Sequence, residues 1–502
     1  MISLFDVEKE VMKRSQQVNE TTSQRANINC TLSIVNCKLF SLLSLAIILL
    51  CPTRIFAQKD IELDIDVPEK WQIDSIFLSN NITHYDWWSR FNDPMLDSLI
   101  NVALTNNHNL QSIEAALDKS ELVYQQSKSN FYPSLSLDAQ YNLSESSLNY
   151  YEETSSDANR TNGYLNAGLN ASWEIDVFGK NRNNVKSNKN TYLANEANYQ
   201  NAIMNLCAQV ATIYFNLRSY QQQLIVANQN IESEKNILDI TVARYESGLG
   251  TQLDVSQAKS VYYNTLATIP RLDAYITQCV NQLAILLGTY PSTLKNSFDD
   301  VSELPSIRHI VNVGIPADVI RNRPDVRQAE YLIESQAALI GAAKADYYPK
   351  FTINGSFGFL SHDIDKFLDN ESRMFSFTPT LTWNLFSGLQ TRKNVKIAEI
   401  ALTESIDNYN NVILNAIQEV ETEMSNYANA LKTIEMGQQV VEQGNKTLEL
   451  SIDLYKRGLG TFTNVLDAQR TVLSDQNYLV SAWNSALLSL VRLYTALGGN
   501  WE

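Results

Sequence analysis

Enzymes declare themselves through the spacing of reactive side chains, and this chain offers little of that kind. Its four histidines, His84, His108, His309 and His362, are scattered. No HExxH, P-loop or GxSxG occurs, and no acid–base cluster is visible. The five cysteines, Cys30, Cys37, Cys51, Cys207 and Cys279, include no CxxC pair, so neither a zinc site nor a thioredoxin-like reading has support. Cys207 and Cys279 read as small buried apolar residues. Chemistry-bearing residues do gather in two related stretches, RYESGLGTQLD (244–254) and YKRGLGTFTNVLDAQR (455–470). Gly248 with Gly250, and Gly458 with Gly460, supply the left-handed backbone that stops a helix. Thr251 and Thr461 can cap the helix that returns. Each stretch predicts a tight helical hairpin.

The two stretches belong to a larger internal repeat. At a shift of 210 residues Trp383 falls on Trp173, Arg392 on Arg182, Val395 on Val185, Tyr455 on Tyr245 and Gly498 on Gly288, with no gap. One strand–helix–turn–helix half is used twice.

The chain has 502 residues, 44% of them hydrophobic and 19% charged, enough for one large or two ordinary domains. A net charge of −16 argues against a nucleic-acid partner, which requires a basic footprint. Residues 1–57 read as a targeting segment. The apolar run 39–51 follows Lys38 and is too short to span a bilayer, but it fits the core of a secretory signal. Two processing sites compete: cleavage near Ala57, which is the favoured expectation, and acylation of Cys51.

The cluster DWWSRFNDPML (86–96) predicts a packing knot of Trp87, Trp88 and Phe91, followed by a helix over 95–130. After Pro133 the period changes to two. Leu135, Leu137, Ala139, Tyr141 and Leu143 alternate with polar residues, as do Leu165, Ala167, Leu169, Ala171 and Trp173. After Pro349 the pattern returns in Phe351, Ile353, Gly355, Phe357 and Phe359, then in Phe375, Phe377, Leu381, Trp383 and Leu385. These are four strands of about ten residues with one apolar and one polar face. A soluble sheet is one explanation. Outer-membrane barrel strands are the other, and the long polar loops 144–160 and 361–373 fit that reading. Four strands cannot close a barrel, and an open edge in lipid leaves backbone groups unpaired, so barrel strands imply several subunits.

Long helices follow strands two and four. From 402 to 455 the apolar positions Leu402, Ile406, Tyr409, Ile413, Ile417, Val420, Met424, Tyr427, Leu431, Ile434, Val441, Leu448, Ile452 and Tyr455 form a heptad seam with one stutter. Ile203, Val210, Leu217, Leu224, Ile231, Leu238, Val242 and Tyr245 repeat it. A helix over 186–245 would be about 90 Å long at 1.5 Å per residue. Such helices suit a tube projecting from a membrane, with both tight turns at the far end.

The stretches WWSRFNDPMLDSLI (87–100), NFYPSL (130–135), WEIDVFGKNR (173–182), RYESGLGTQLDVSQAK (244–259), VGIPADVIRNRPDVRQAE (313–330), YYPKF (347–351), YKRGLGTFTNVLDAQR (455–470) and LGGNW (497–501) resemble the outer-membrane efflux protein family. These are the TolC-like exit ducts of tripartite pumps, here nearest the NodT- or OprM-like branch. The resemblance covers nearly all of the mature chain. It implies a mainly α protein with a membrane β-barrel: a homotrimer with four strands per chain in a 12-stranded barrel, embedded in outer-membrane lipid, above a periplasmic helical tunnel.

The partners it implies are a periplasmic adaptor and an inner-membrane resistance–nodulation–division transporter, with no cofactor. Adaptors of the family dock near the RxxxGL turns. Here the first turn carries Arg244, Gly248, Leu249, Gly250 and Thr251; the second, with Lys456, Arg457, Gly458, Leu459, Gly460 and Thr461, departs from the pattern by placing Tyr455, Lys456 and Arg457 where the basic residue is expected. The periplasmic gate residues carried over are Asp467, Arg470, Asn464 and Asp254. Asn464 stands where many members have Asp, and Asp467 also reads as a solvated helix-face charge.

The expected layout is a signal (1–57) and an N-terminal equatorial segment with the first helix (58–133). Strands one and two follow (134–173), then hairpin 1 (174–288, tip 246–252) and an equatorial connection (289–349). Strands three and four (350–385) and hairpin 2 with the C-terminus (386–502, tip 456–462) complete it. Two other functions remain open: a duct for type I protein secretion, and a periplasmic coiled-coil scaffold without a pore.

Overall fold

A computed structural model describes residues 71, 77–78, 87–145, 147, 161–294, 297–298, 305, 311–313 and 316–498. The targeting segment, Cys51 and most of the loop 144–160 lie outside the described residues.

The repeat is carried into the element boundaries. Two helices of 67 residues, α3 (Lys180–Glu246) and α7 (Gln390–Lys456), begin and end 210 positions apart. At 1.5 Å per residue each is about 100 Å long. α3 starts six residues earlier than the apolar seam predicts, because Asp176 takes the amides of Asn181 and Arg182 at 3.1 and 2.8 Å and satisfies its first turn.

The returning helices keep the same offset. Residues 252–286 match α8 (Phe462–Ala496). The first of the pair is split into α4 (Gln252–Leu266) and α5 (Ile269–Leu286). Pro270 explains the split, since it lacks the N–H that would bond back to Leu266. α8 has Val480 there and is continuous.

The helix expected over 95–130 is also two, α1 (Pro94–Asn106) and α2 (His108–Lys128). Asn107 adopts an extended backbone and takes the Leu110 amide on its side chain at 2.9 Å, so it ends one helix and caps the next. α6 (Pro324–Ala345) packs on α3 and α7.

The predicted seam is the packed face. All of its members on α7 are buried or half-buried, with Tyr427 and Met424 in the main core beside Val210, Tyr214, Phe215 and Leu217 of α3. The expected aromatic knot closes the same core. Trp87 stacks on Tyr494 at 5.7 Å, and Phe91 meets Phe215 at 4.9 Å. Cys207 and Cys279 are buried there, and burial pushes their thiols up to about 12 and about 11. The seam fails at one position, Tyr245, which is 43% exposed while its repeat partner Tyr455 is 5% exposed.

The four strands are β1 (Ser134–Glu145), β2 (Thr161–Ile175), β3 (Lys350–Ser361) and β4 (Arg373–Thr382), antiparallel in that order. The fourth ends before Trp383 and Leu385, which the alternation had included. The loop 361–373 holds two single 3₁₀ turns, Ile364–Lys366 and Asn370–Ser372.

Each Trp at a strand end is bonded to the turn that enters the neighbouring strand. Trp173 Nε1 donates to the Phe131 carbonyl at 2.9 Å and Trp383 Nε1 to that of Tyr347 at 3.1 Å. Both carbonyls lie two residues before the proline that ends a helix. Gly168 and Gly358 face each other across β2 and β3, so close that a Cβ on Gly358 would lie 2.5 Å from the Ala167 carbonyl oxygen.

Register sorts the sheet into two chemistries. One face carries Leu135, Leu137, Tyr141, Leu169, Phe357, Phe375 and Phe377, all exposed, Phe375 at 83%. On the other, Asn170 donates to Asp138 at 2.6 Å, Ser172 to Asn354 at 2.9 Å, and Ser356 meets Ser376 at 2.8 Å. A soluble sheet would cover its apolar face; no described residue covers this one. β1 and β4 each pair on one side only among the described residues. Among those residues no helix is long and apolar enough to cross a membrane.

Candidate functional site: the two hairpin tips

Both long helices end in the same hydrogen-bonded stop. Leu249 N–H donates to the Arg244 carbonyl at 2.8 Å and Gly248 N–H to that of Tyr245 at 2.9 Å. In the second hairpin Leu459 N–H reaches Leu454 at 2.9 Å and Gly458 N–H reaches Tyr455 at 3.0 Å. This pair of bonds requires left-handed backbone at the residue after the cap, and Gly248 (φ 73°) and Gly458 (φ 75°) provide it. Gly250 and Gly460 are not left-handed, contrary to the reading of each glycine pair as a unit. Their demand is for space: a Cβ would come within 3.3 Å of the Tyr245 nitrogen or 3.2 Å of the Leu454 Cβ.

The returning helices start differently. Thr251 Oγ1 accepts the Asp254 amide at 3.2 Å, and Asp254 Oδ2 accepts the Thr251 amide at 3.1 Å, a reciprocal capping box. Thr461 makes no side-chain cap; its carbonyl accepts the Asn464 amide at 3.2 Å. Asn464 occupies the position of Asp254 in the repeat. The carboxylate expected at a gate in Asp254 is therefore held by its own helix N-terminus in this structure.

Asp467 and Arg470 are exposed on α8 and make no side-chain hydrogen bond or ion pair with any described residue. Asn464, Asp467, Thr471, Ser474 and Tyr478 form one exposed stripe at helical spacing. Leu249, Leu253 and Leu459 are exposed at the turns. Lys456 is exposed, and Arg457 pairs with Asp453 one turn back at 2.9 Å.

Arg244 departs most from expectation. It is turned away from solvent towards the other hairpin. Nη1 donates to the Lys456 carbonyl at 3.1 Å, Nη2 to the Leu249 carbonyl at 3.2 Å, and the guanidinium sits 4.7 Å from the centre of the Tyr455 ring. The carbonyls of a helix C-terminus lack intrahelical donors and carry partial negative charge, so one cation closes both hairpin ends. The repeat held a trace of this contact: Leu454 stands at the position of Arg244, and a leucine cannot return the bond.

A four-stranded sheet apolar outside and polar inside, standing on paired 67-residue helices that turn at a shared tip, defines an outer-membrane channel subunit of the TolC-like class. Comparison with known proteins gives the same class. Residues 99–289 and 315–499 match the outer membrane efflux protein family, and the chain belongs to it.

Nodulation protein T of Rhizobium leguminosarum bv. trifolii is 28% identical over 439 residues, 88% of this chain and 93% of that protein. The solvent efflux pump outer membrane protein SrpC of Pseudomonas putida is 30% identical over 414 residues, 82% of this chain and 87% of its own. The solved outer-membrane channel OprN superposes with a TM-score of 0.80 at 25% identity, over 87% of this chain and 98% of that one. The protein is an outer-membrane protein with a large periplasmic part.

Proposed function

We propose that the protein is the exit duct of a tripartite efflux system, passively conducting drugs or other small toxic compounds across the periplasm and outer membrane. An adaptor and a resistance–nodulation–division pump in the inner membrane would supply the substrate and the energy. One observation carries this reading: a sheet too small to close, with one face for lipid and one for water, is continuous in the chain with two long helical hairpins of equal length. Three copies supply twelve strands, enough for an open lumen where eight would be filled by side chains. The relatives' names support efflux, since SrpC is called a solvent efflux pump component.

Asp467, exposed and with no side-chain partner among the described residues, lies in the second turn of α8. Three copies around a narrow mouth would favour cations, because like charges focus the field in a low-dielectric passage. Adaptor docking falls to the exposed turn residues, Leu249, Lys456, Arg457 and Leu459, and not to Arg244, whose side chain is engaged within the chain.

Single-channel recording in planar bilayers tests the proposal. The wild type gives a small cation-preferring conductance, and Asp467→Ala raises conductance and weakens the preference. Absence of any channel would overturn the duct. Unchanged conductance and selectivity would remove Asp467 from the gate.

A further inference from the structure

Ten residues before Arg244, α3 carries Glu234, 3% exposed, facing both α4 and α8. Thr265 Oγ1 of α4 donates to Glu234 Oε1 at 2.9 Å, while Oε2 is buried without a hydrogen-bond partner. Apolar Ile237, Ala258, Val261, Phe462, Val465 and Leu466 surround the carboxyl, and Gln469 of α8 completes the lining.

The orientation of Gln469 is set from a distance. Asn230 Nδ2 donates to the Val226 carbonyl at 2.8 Å and to Gln476 Oε1 at 2.7 Å, so Asn230 must present Oδ1 to Gln469 Nε2, at 3.0 Å. Turning the Gln469 amide over would set oxygen against oxygen. Its own Oε1 consequently stays buried with no donor, as does Glu234 Oε2. Two buried acceptors in one helix contact lack a hydrogen, and each such orphan is costly. A proton on Glu234 adds a donor to those of Thr265 and Gln469 and removes the buried charge.

Burial pushes the Glu234 carboxyl up to about 7, with Thr265 and Gln469 pulling less strongly the other way. No charged neighbour contributes. Lys235 on α3, Lys259 on α4, Asp467 and Arg470 on α8, and Lys446 and Glu449 on α7 are all exposed. In the repeat, Glu234 falls on Gly444 and Thr265 on Asp475. The arrangement therefore belongs to the contact of α3 with α4 and α8, not to hairpin geometry in general.

We propose that Glu234 is a proton switch on the contact between α3 and the two inner helices. Neutral, it lets α4 and α8 lie against α3; ionised, it draws water into the contact and frees α8. That this loosening reaches a channel mouth rests on the duct reading; the switch itself does not.

Packing that favours the neutral acid is fully stable below the carboxyl's ordinary value and weakens as pH rises towards the raised one. The opening constant of the contact should grow about tenfold per pH unit between about 5 and 7, then level off.

Hydrogen-exchange protection of residues 226–240 and 462–476, measured on the full chain in detergent from pH 5 to 8, tests this. Protection factors remove the intrinsic pH dependence of exchange. The wild type should lose protection about tenfold per unit up to pH 7 and then plateau. Glu234→Gln should be flat. Thr265→Val, which deletes the donor to the carboxylate, should move the plateau to higher pH, and it keeps the test decisive if the glutamine variant does not fold. A flat wild-type profile, a Glu234→Gln slope equal to the wild type's, or a plateau unmoved by Thr265→Val overturns the switch. Because exchange requires no pore, pH-dependent protection with pH-independent conductance supports the switch and counts against its coupling to a channel mouth.

Discussion

Arg244 and Tyr455 belong to different hairpins of one chain, yet the guanidinium lies 4.7 Å from the ring centre and donates to the next residue's carbonyl at 3.1 Å. Tyr455 is buried, packed also against Phe462, while its repeat partner Tyr245 is exposed. One cation thus bonds the ends of the two hairpins to each other.

Removing that cation should free the tips. A cation–π contact with two hydrogen bonds to helix-end carbonyls is worth about 1–2 kcal/mol at a half-buried site, roughly tenfold in an equilibrium. Arg244→Ala should speed trypsin cleavage after Lys456 and Arg457 about tenfold. Arg244→Lys should recover part of the loss, since an ammonium keeps the charge but not the forked geometry. Cleavage at the wild-type rate in both variants would show that the contact holds nothing.

The buried thiols give a second check. Thiolate is the reactive form, and burial raises Cys207 to about 12 and Cys279 to about 11. With Cys30, Cys37 and Cys51 replaced by serine, maleimide labelling of the folded protein at pH 8 should be slower than in denaturant. The smaller thiolate fraction alone predicts about a thousandfold at Cys207 and about a hundredfold at Cys279. Rates should climb as pH rises towards those values. Rapid labelling at pH 8 would contradict the burial.

Strand contact is tested at Gly358. An added Cβ there meets the Ala167 carbonyl oxygen at 2.5 Å and Gly168 Cα at 2.6 Å, both backbone atoms with nowhere to go. Gly358→Ala should destabilise the sheet by about 1–3 kcal/mol, as overpacking does. Gly355→Ala, whose nearest neighbour is 3.7 Å away, should be tolerated. The temperature at which the heat-modifiable band disappears on gels separates the two; equal temperatures would refute the close approach.

Much of this architecture was legible because it rests on periodicity. A change of period at Pro133 and Pro349 marks the strands, and the shift of 210 residues carries the boundaries of α3 onto those of α7. The exceptions come from single side chains. Asn107 divides a helix that the apolar spacing shows as continuous, and Pro270 divides one inner helix but not the other.

The tip was located by its glycines, but its electrostatics were not. Thr251 caps through its side chain in a box completed by Asp254, and Thr461, with Asn464 at that position, makes no side-chain cap. The RxxxGL turn marked Arg244 as a docking residue but not its contact with the second hairpin, and Glu234 acts across elements far apart in sequence, so no local pattern announces it. The intrachain roles of both left a trace only as breaks in the repeat, against Leu454 and Gly444.

Native mass spectrometry of the detergent-extracted protein tests the central claim, that each chain contributes four strands to a shared cylinder in the outer membrane. A single species of three chains that dissociates only when the barrel is denatured is expected. A one-chain species, folded and soluble once detergent is removed, would contradict it.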